Sequence, residues 1–308
     1  MNATPADKEI LFPQAKINLG LFVTRRRPDG YHILQTLFYP IDWRDALEIR
    51  LQGEALPQST FQTTADGRIR WFQTGIQVNC DPELNLCVKA YRLLQERYPD
   101  LPAVDMHLQK EVPFGAGLGG GSSDGAHVLL MLRHMFQLDV TDAELEAMAS
   151  RMGADCAFFC RCGSLYNTAD NEGRMVAQYC QGIGHELQPH PLTLQGYHIV
   201  VVKPPFGVST REAYSNVHPQ QPATDLCDLL QRPLAEWKDC VRNDFEASVF
   251  PLHPELQQAK ELLYQHGALY ASMSGSGSAL FGIFAQPQPL CQQWFAPGYI
   301  ARCHAALV

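Results

Sequence analysis

No apolar run in this chain approaches the roughly 18 residues that a membrane-crossing helix needs, so no membrane partner is expected. Charge of one sign is scarce too. Lys and Arg number 24 against 32 Asp and Glu, and the only basic run is Arg25-Arg26-Arg27. A nucleic-acid partner held by phosphate neutralisation is therefore not expected. The arginine triplet reads either as a solvated loop or as a group near an anionic substrate. The ten cysteines, Cys156, Cys160 and Cys162 included, have no second Cys or His pair at metal-site spacing. They read as free thiols, and no metal ligand is assigned. Asn2 to Glu9 is polar and lacks the apolar centre of a secretory leader, so a reducing, cytoplasmic location is expected. Internal repeats and low-complexity tails are missing as well.

Glycine, by contrast, is concentrated. The stretch Pro113-Phe114-Gly115-Ala116-Gly117-Leu118-Gly119-Gly120-Gly121-Ser122-Ser123 holds five glycines in the seven residues from Gly115 to Gly121. A strand-like run, Val104 to Val112, enters it, and Ala126, Leu129, Leu130, Leu132 and Phe136 follow at helical spacing. Glycine permits positive φ and carries no Cβ, so successive N–H groups can converge on a phosphate. The start of the following helix adds its dipole to that attraction. Ser122, Ser123 or Asp124 is expected to cap this helix. The loop lacks the Gly-Lys-Ser/Thr ending of the common P-loop. Gly115-x-Gly117-x-x-Gly120 fits the dinucleotide fingerprint, yet where an acidic residue should end a second strand, Thr141-Asp142 starts a helix. A flexible surface loop would not need so many glycines framed by strand and helix.

At 308 residues and 46% hydrophobic content, two domains with substantial cores are expected, divided near residue 165 into 1–165 and 166–308. Gln14 to Val23 alternates like a half-buried strand, which puts Lys16 and Asn18 on one face, where a phosphate or carboxylate partner is plausible. Pro28-Asp29-Gly30 is a turn signal that presents Tyr31 and His32, a flat ring for stacking and an imidazole for edge hydrogen bonds, or else ordinary packing at the next strand. Leu84-Asn85-Leu86 opens a helix, and Thr141 to Glu144 reads as a capping box. Asp155, between Gly153 and an apolar run, reads as a helix cap or as a buried carboxylate with a specific task. Tyr197 to Pro205 is a central strand. Thr210 and Tyr214 lie on a capped helix, and Ser274 to Ser278 is a small-residue turn that could wall a phosphate or simply be tight.

Lys16-Ile17-Asn18-Leu19, Arg27 to His32, Pro113 to Ser123, Gly153-Ala154-Asp155 and Met273 to Gly277 occur in the order and spacing of the GHMP kinase superfamily. The chain resembles that superfamily over nearly its whole length, and the Pro-Asp-Gly-Tyr-His element resembles a member whose acceptor carries a cytosine. The resemblance implies an α+β fold in two domains, the first ribosomal protein S5 domain 2-like and the second a ferredoxin-like sandwich, with the active site in the cleft between them. It also implies ATP-dependent phosphorylation, with Mg²⁺, of the 2-hydroxyl of a cytidyl-linked methylerythritol in non-mevalonate isoprenoid synthesis. The partner implied is thus a small molecule, and the protein a monomer or weak homodimer. Asp155 is implied to be the catalytic base, with Lys16 close to it, and Pro113 to Ser123 to be the ATP-phosphate loop. Tyr31 and Tyr214 are implied to sandwich the cytosine and His32 to bond its edge. Asn18, Asn85, Lys110 and Thr210 are implied to line the same cleft. Between Phe159 and Gly182 the chain is longer than the family pattern, and an extra hairpin is expected there. The Tyr31-His32 element disfavours homoserine, mevalonate or sugar acceptors, which carry no base to stack.

Overall fold

A computed structural model describes residues 7–53, 61–78, 81–162, 176–184 and 186–308. Two compact units interleave along the chain: Met1–Ala15, Trp43–Val112 and Gly119–Arg174 form one, and Lys16–Asp42, Pro113–Leu118 and Met175–Val308 the other. The glycine loop contributes to both.

In the first unit five strands lie in the order β1 (Lys8–Leu11), β4 (Ala46–Leu51), β7 (Val104–Lys110), β6 (Ile69–Gly75) and β5 (Gln62–Thr63). Only the β6–β7 pair is parallel. Strand alternation decides which side is covered: Leu47, Ile49, Val104, Met106 and Leu108 are buried, whereas Glu48, Arg50 and His107 point the other way. Among the described residues four α-helices complete the unit, α1 (Leu86–Arg97), α2 (Gly120–Met135), α3 (Asp142–Met152) and α4 (Ala154–Cys162). Helix α2 is apolar nearly all round, so it takes the central place, packed on the other three helices and on β1 and β4. The capping box expected at Thr141 and Glu144 is present in full at the start of α3.

The second unit has two four-stranded sheets. One runs β2 (Gln14–Arg26), β3 (His32–Arg44), β8 (Gln178–Gln181), β9 (Glu186–Pro189). The other runs β11 (Tyr270–Met273), β12 (Leu280–Phe284), β10 (His198–Lys203), β13 (Ile300–Ala305) and is antiparallel throughout. With it go α5 (Thr210–Ser215), α6 (Leu226–Leu230), α7 (Trp237–Cys240), α8 (Glu246–Val249) and α9 (Pro254–Gln265). Val200, Val202, Phe245, Val249, Leu256, Leu263 and Leu280 share one core.

The alternation read at Gln14 to Val23 suggested a half-buried strand, but β2 is buried from Gln14 through Thr24. Its polar face is therefore enclosed, and each polar group on it needs a partner. The long path expected between Phe159 and Gly182 falls partly on 163–175, outside the described residues; the described end joins the β8–β9 hairpin. Among the described residues no helix is long and apolar enough to cross a membrane, and the nine described cysteines are free.

Candidate active site

The glycine loop is built differently at its two ends. In the second unit, Gly117 adopts φ +75°, and a Cβ there would stand 1.9 Å from the Ser274 carbonyl oxygen, so no larger residue fits. The close approach is used: Ser274 Oγ donates to the Gly117 carbonyl at 2.9 Å, and the Ala279 N–H donates to the Ala116 carbonyl at 3.0 Å. The small-residue turn at Ser274 is thus a wall of the loop. It is held by Asn243, whose buried amide donates to the Met273 and Gly275 carbonyls at 2.7 and 2.8 Å while its oxygen accepts the Phe245 N–H. Next to it, Asp244 accepts the Val23 N–H at 2.8 Å, which ties the same segment to β2. Phe114 and Gly115 are exposed at the loop's other face.

In the first unit, α2 begins at Gly120 with Gly119 as its N-cap at φ +69°, and no side chain bonds the cap. Ser122, Ser123 and Asp124, expected as caps, lie inside the helix instead. Ser123 donates its N–H to the Gly119 carbonyl, so it is already one turn in. An uncapped helix start built from Gly119, Gly120 and Gly121 leaves its first N–H groups without a side-chain acceptor. Nothing lies within 4 Å of where a Gly121 Cβ would stand. A phosphate therefore fits the residues present: positive dipole, bare donors and open space coincide.

Beneath that helix start lies a buried ion cluster. Lys110, at the end of β7, donates to Asp45 Oδ2 and, at 2.9 Å, to Asp124 Oδ2. Asp45 Oδ1 accepts the Glu111 and Val112 N–H groups at 2.6 and 2.8 Å. Lys110, expected to line the cleft, is instead 2% exposed and committed to this cluster. A Gly120 Cβ would come within 2.9 Å of Lys110 Nζ and of Val112, so glycine is required there as well. Asn85 is the N-cap of α1, accepting the Cys87 N–H at 2.9 Å.

Asp155 stands in the first turn of α4, one residue inside the helix rather than at its cap. It is partly exposed. Helices α2 and α4 pack together, and the Cys156 thiol shares a hydrogen bond with Ser122. Burial pushes that thiol up to about 12, the bond to Ser122 opposing the rise, so Cys156 is a neutral spacer between the loop helix and the helix bearing Asp155.

In the second unit Lys16 and Asn18 share a face, as expected. Lys16 Nζ donates to Asn18 Oδ1 at 2.7 Å and lies 5.0 Å from the Phe38 ring centre. Asn18 Nδ2 donates to Thr36 Oγ1 at 2.9 Å, which donates on to the Gly20 carbonyl at 2.6 Å. The Lys16 N–H also donates to the Leu118 carbonyl, fixing β2 to the glycine loop.

Also in this unit, the His32 imidazole stacks on Tyr214, centroids 4.7 Å apart and planes 28° apart, and Phe245 backs Tyr214 edge-on at 4.7 Å. Burial and then the Arg26 charge hold the imidazolium pKa below its usual value, so His32 is neutral near pH 7, with one donor and one acceptor nitrogen. Thr210, one turn before Tyr214 on α5, is exposed. Tyr31 extends into solvent, 63% exposed, beyond an Asp29 turn closed by Arg27.

Two model domains match this chain: the GHMP kinases N terminal domain over residues 85–163 and the GHMP kinases C terminal domain over 227–299. A 4-diphosphocytidyl-2-C-methyl-D-erythritol kinase of Bacteroides thetaiotaomicron is 46% identical over 275 residues, 89% of this chain and 92% of that one. One of Parabacteroides distasonis is 46% identical over 92% of this chain and 94% of its own. A crystal structure of 4-(cytidine 5'-diphospho)-2C-methyl-D-erythritol kinase superposes with a TM-score of 0.74 at 30% identity, covering 96% of this chain and 99% of that one. A homoserine kinase from Cytophaga hutchinsonii, 15% identical with a TM-score of 0.62, shares the fold. The fold is that of the GHMP kinases, enzymes that use ATP as co-substrate. Within that class, the chain belongs to the 4-diphosphocytidyl-2-C-methyl-D-erythritol kinase family.

Proposed function

We propose that this kinase transfers the γ-phosphoryl group of ATP to the 2-hydroxyl of 4-diphosphocytidyl-2-C-methyl-D-erythritol, giving the 2-phosphate and ADP. Identity of 46% to enzymes of that name, over about nine tenths of the chain, carries the reading. The loop Pro113 to Ser123 holds the ATP phosphates at the bare start of α2. A Mg²⁺ ion bound to the ATP phosphates would offset part of their charge.

Asp155 takes the proton of the acceptor hydroxyl as the new oxygen–phosphorus bond forms and the bond from the γ-phosphorus to the ADP oxygen breaks. Lys16, oriented by Asn18, counters negative charge that develops on the transferred group. Such a reaction needs alignment and electrostatics more than covalent help. We assign residues 1–165 to ATP binding and 166–308 to a contribution to substrate binding. The free cysteines suit a cytoplasmic protein, and we take it as a monomer or weak homodimer.

For the acceptor, Tyr31 and Tyr214 present stacking faces and neutral His32 bonds the base edge, with Thr210 alongside. His32 lies against Tyr214 in the structure, so base binding in a sandwich requires that ring to swing aside, and exposed Tyr31 is free to close. Replacing Tyr31 by alanine raises KM for the cytidyl substrate by an amount equivalent to ~1–3 kcal/mol, the worth of one base stack. KM for ATP stays level. Steady-state kinetics with each substrate varied in turn checks this, and a raised KM for ATP beside an unchanged acceptor KM refutes the stacking role.

A further inference from the structure

The cluster beneath the phosphate loop holds one ammonium and two carboxylates, which leaves a negative charge in the interior when all three are ionised. The two carboxylates are not equivalent. Asp45 has both oxygens engaged, Oδ1 by the Glu111 and Val112 N–H groups and Oδ2 by Lys110. Asp124 Oδ2 accepts from Lys110 and its carboxyl lies against that of Asp45; its Oδ1 is buried and finds no partner among the described residues. An ionised carboxylate with one bare oxygen in the interior is costly, and a proton there removes the cost. Burial pushes the Asp124 carboxyl up to about 7, Lys110 opposing the rise and Asp45 adding to it. The groups facing Asp124 are Lys110 from β7, Asp45 from the β3–β4 junction and the Cys87 thiol from α1. That thiol is held protonated by its own burial.

The cluster's position gives this proton a consequence. Lys110 Nζ lies 2.9 Å from where a Gly120 Cβ would stand, so the cluster sits directly under the first residue of α2. Lys110 also joins the strand that enters the glycine loop to the helix that leaves it, and it fixes the separation of the loop's ends. Phosphates at that helix start bring more negative charge beside a cluster already one proton short.

We propose that Asp45, Lys110 and Asp124 are positioning residues for the phosphate loop, and that Asp124 holds its proton more tightly when nucleotide phosphates occupy the start of α2, so that nucleotide and proton binding are coupled. The inference rests on the loop's assignment to ATP. It predicts that nucleotide affinity falls as pH rises through the Asp124 titration.

Calorimetric titration of the wild-type enzyme with Mg-ADP, repeated at about pH 8 in two buffers of unequal ionisation heat, reads the proton directly. If bound phosphates lift the carboxyl by about one unit, uptake is about 0.4 proton per ADP. Asp124→Asn keeps an acceptor for Lys110 and removes the titrating group. It binds Mg-ADP with no such uptake, and its KM for ATP lacks the rise that the wild type shows above neutral pH. Binding of ADP to the wild type without proton uptake overturns the inference and leaves the nucleotide loop standing, as does equal uptake by Asp124→Asn. Failure of ADP to bind at all overturns both. The wild-type measurement stands even if the variant folds poorly.

Discussion

Asp155→Asn lowers kcat by about 10²- to 10⁴-fold, the usual worth of a positioned general base, and leaves Mg-ATP binding within a few-fold of wild type. Asparagine keeps the size and polarity of the side chain and loses only the capacity to accept a proton. The first turn of α4 is the physical setting for that loss: partial exposure gives the carboxylate access to an acceptor. Ser122 of the loop helix and Cys156 of α4 are hydrogen-bonded, so the helix that starts at the phosphate loop and the helix that carries Asp155 are set side by side within one unit. Stopped-flow or steady-state rates for kcat, and equilibrium titration for nucleotide affinity, separate the two effects. Turnover near the wild-type value would show that Asp155 is not the base.

Lys110→Met costs about 3–5 kcal/mol of stability, the range found when a buried ion pair loses one partner. The methionine fills the space of the lysine stem but leaves Asp45 and Asp124 facing each other with no cation, in a site where both are 3% exposed or less. In the variant the Asp124 carboxyl, raised by burial already, loses the opposing Lys110 charge and is raised further above its unfolded value. Stability from such groups is fully present below the unfolded value and is lost as pH rises through the folded value. The deficit against wild type therefore shrinks as pH falls from neutral towards the ordinary carboxylate range. Urea denaturation at several pH values measures it, and a deficit that is small at neutral pH or constant with pH contradicts the account.

The glycine loop, the capping box at Thr141 and the apolar stripe of α2 were legible because each is a local pattern: glycine density, a four-residue signature, a helical period. Lys16 and Asn18 were placed on one face by strand alternation alone, although the strand is enclosed on both sides. What was hidden depends on partners distant in the chain. Asn243 braces the Ser274 turn from some thirty residues away, and nothing in Arg242-Asn243-Asp244 marks it beyond polarity. Lys110 and Asp124 carried one usable signal, since Lys110 closes an alternating apolar strand and Asp124 interrupts an apolar helix. Charges of opposite sign at such positions pair inside the fold, because neither can be buried alone. The caps failed for a related reason: serines after a glycine run look like caps, but glycine at positive φ starts the helix earlier and frees them for the interior. The interleaving of the two units along the chain has no local signature, since it arises from pairings between segments far apart in sequence.

The central claim, a kinase for the cytidyl-linked methylerythritol, is tested most directly by ADP formation from Mg-ATP with 4-diphosphocytidyl-2-C-methyl-D-erythritol as acceptor, beside homoserine, mevalonate and galactose. Turnover with the cytidyl compound alone is expected. Turnover with another acceptor would keep the phosphate loop, Lys16 and Asp155 but contradict the roles given to Tyr31, His32 and Tyr214, and turnover with none would contradict the assignment as a whole.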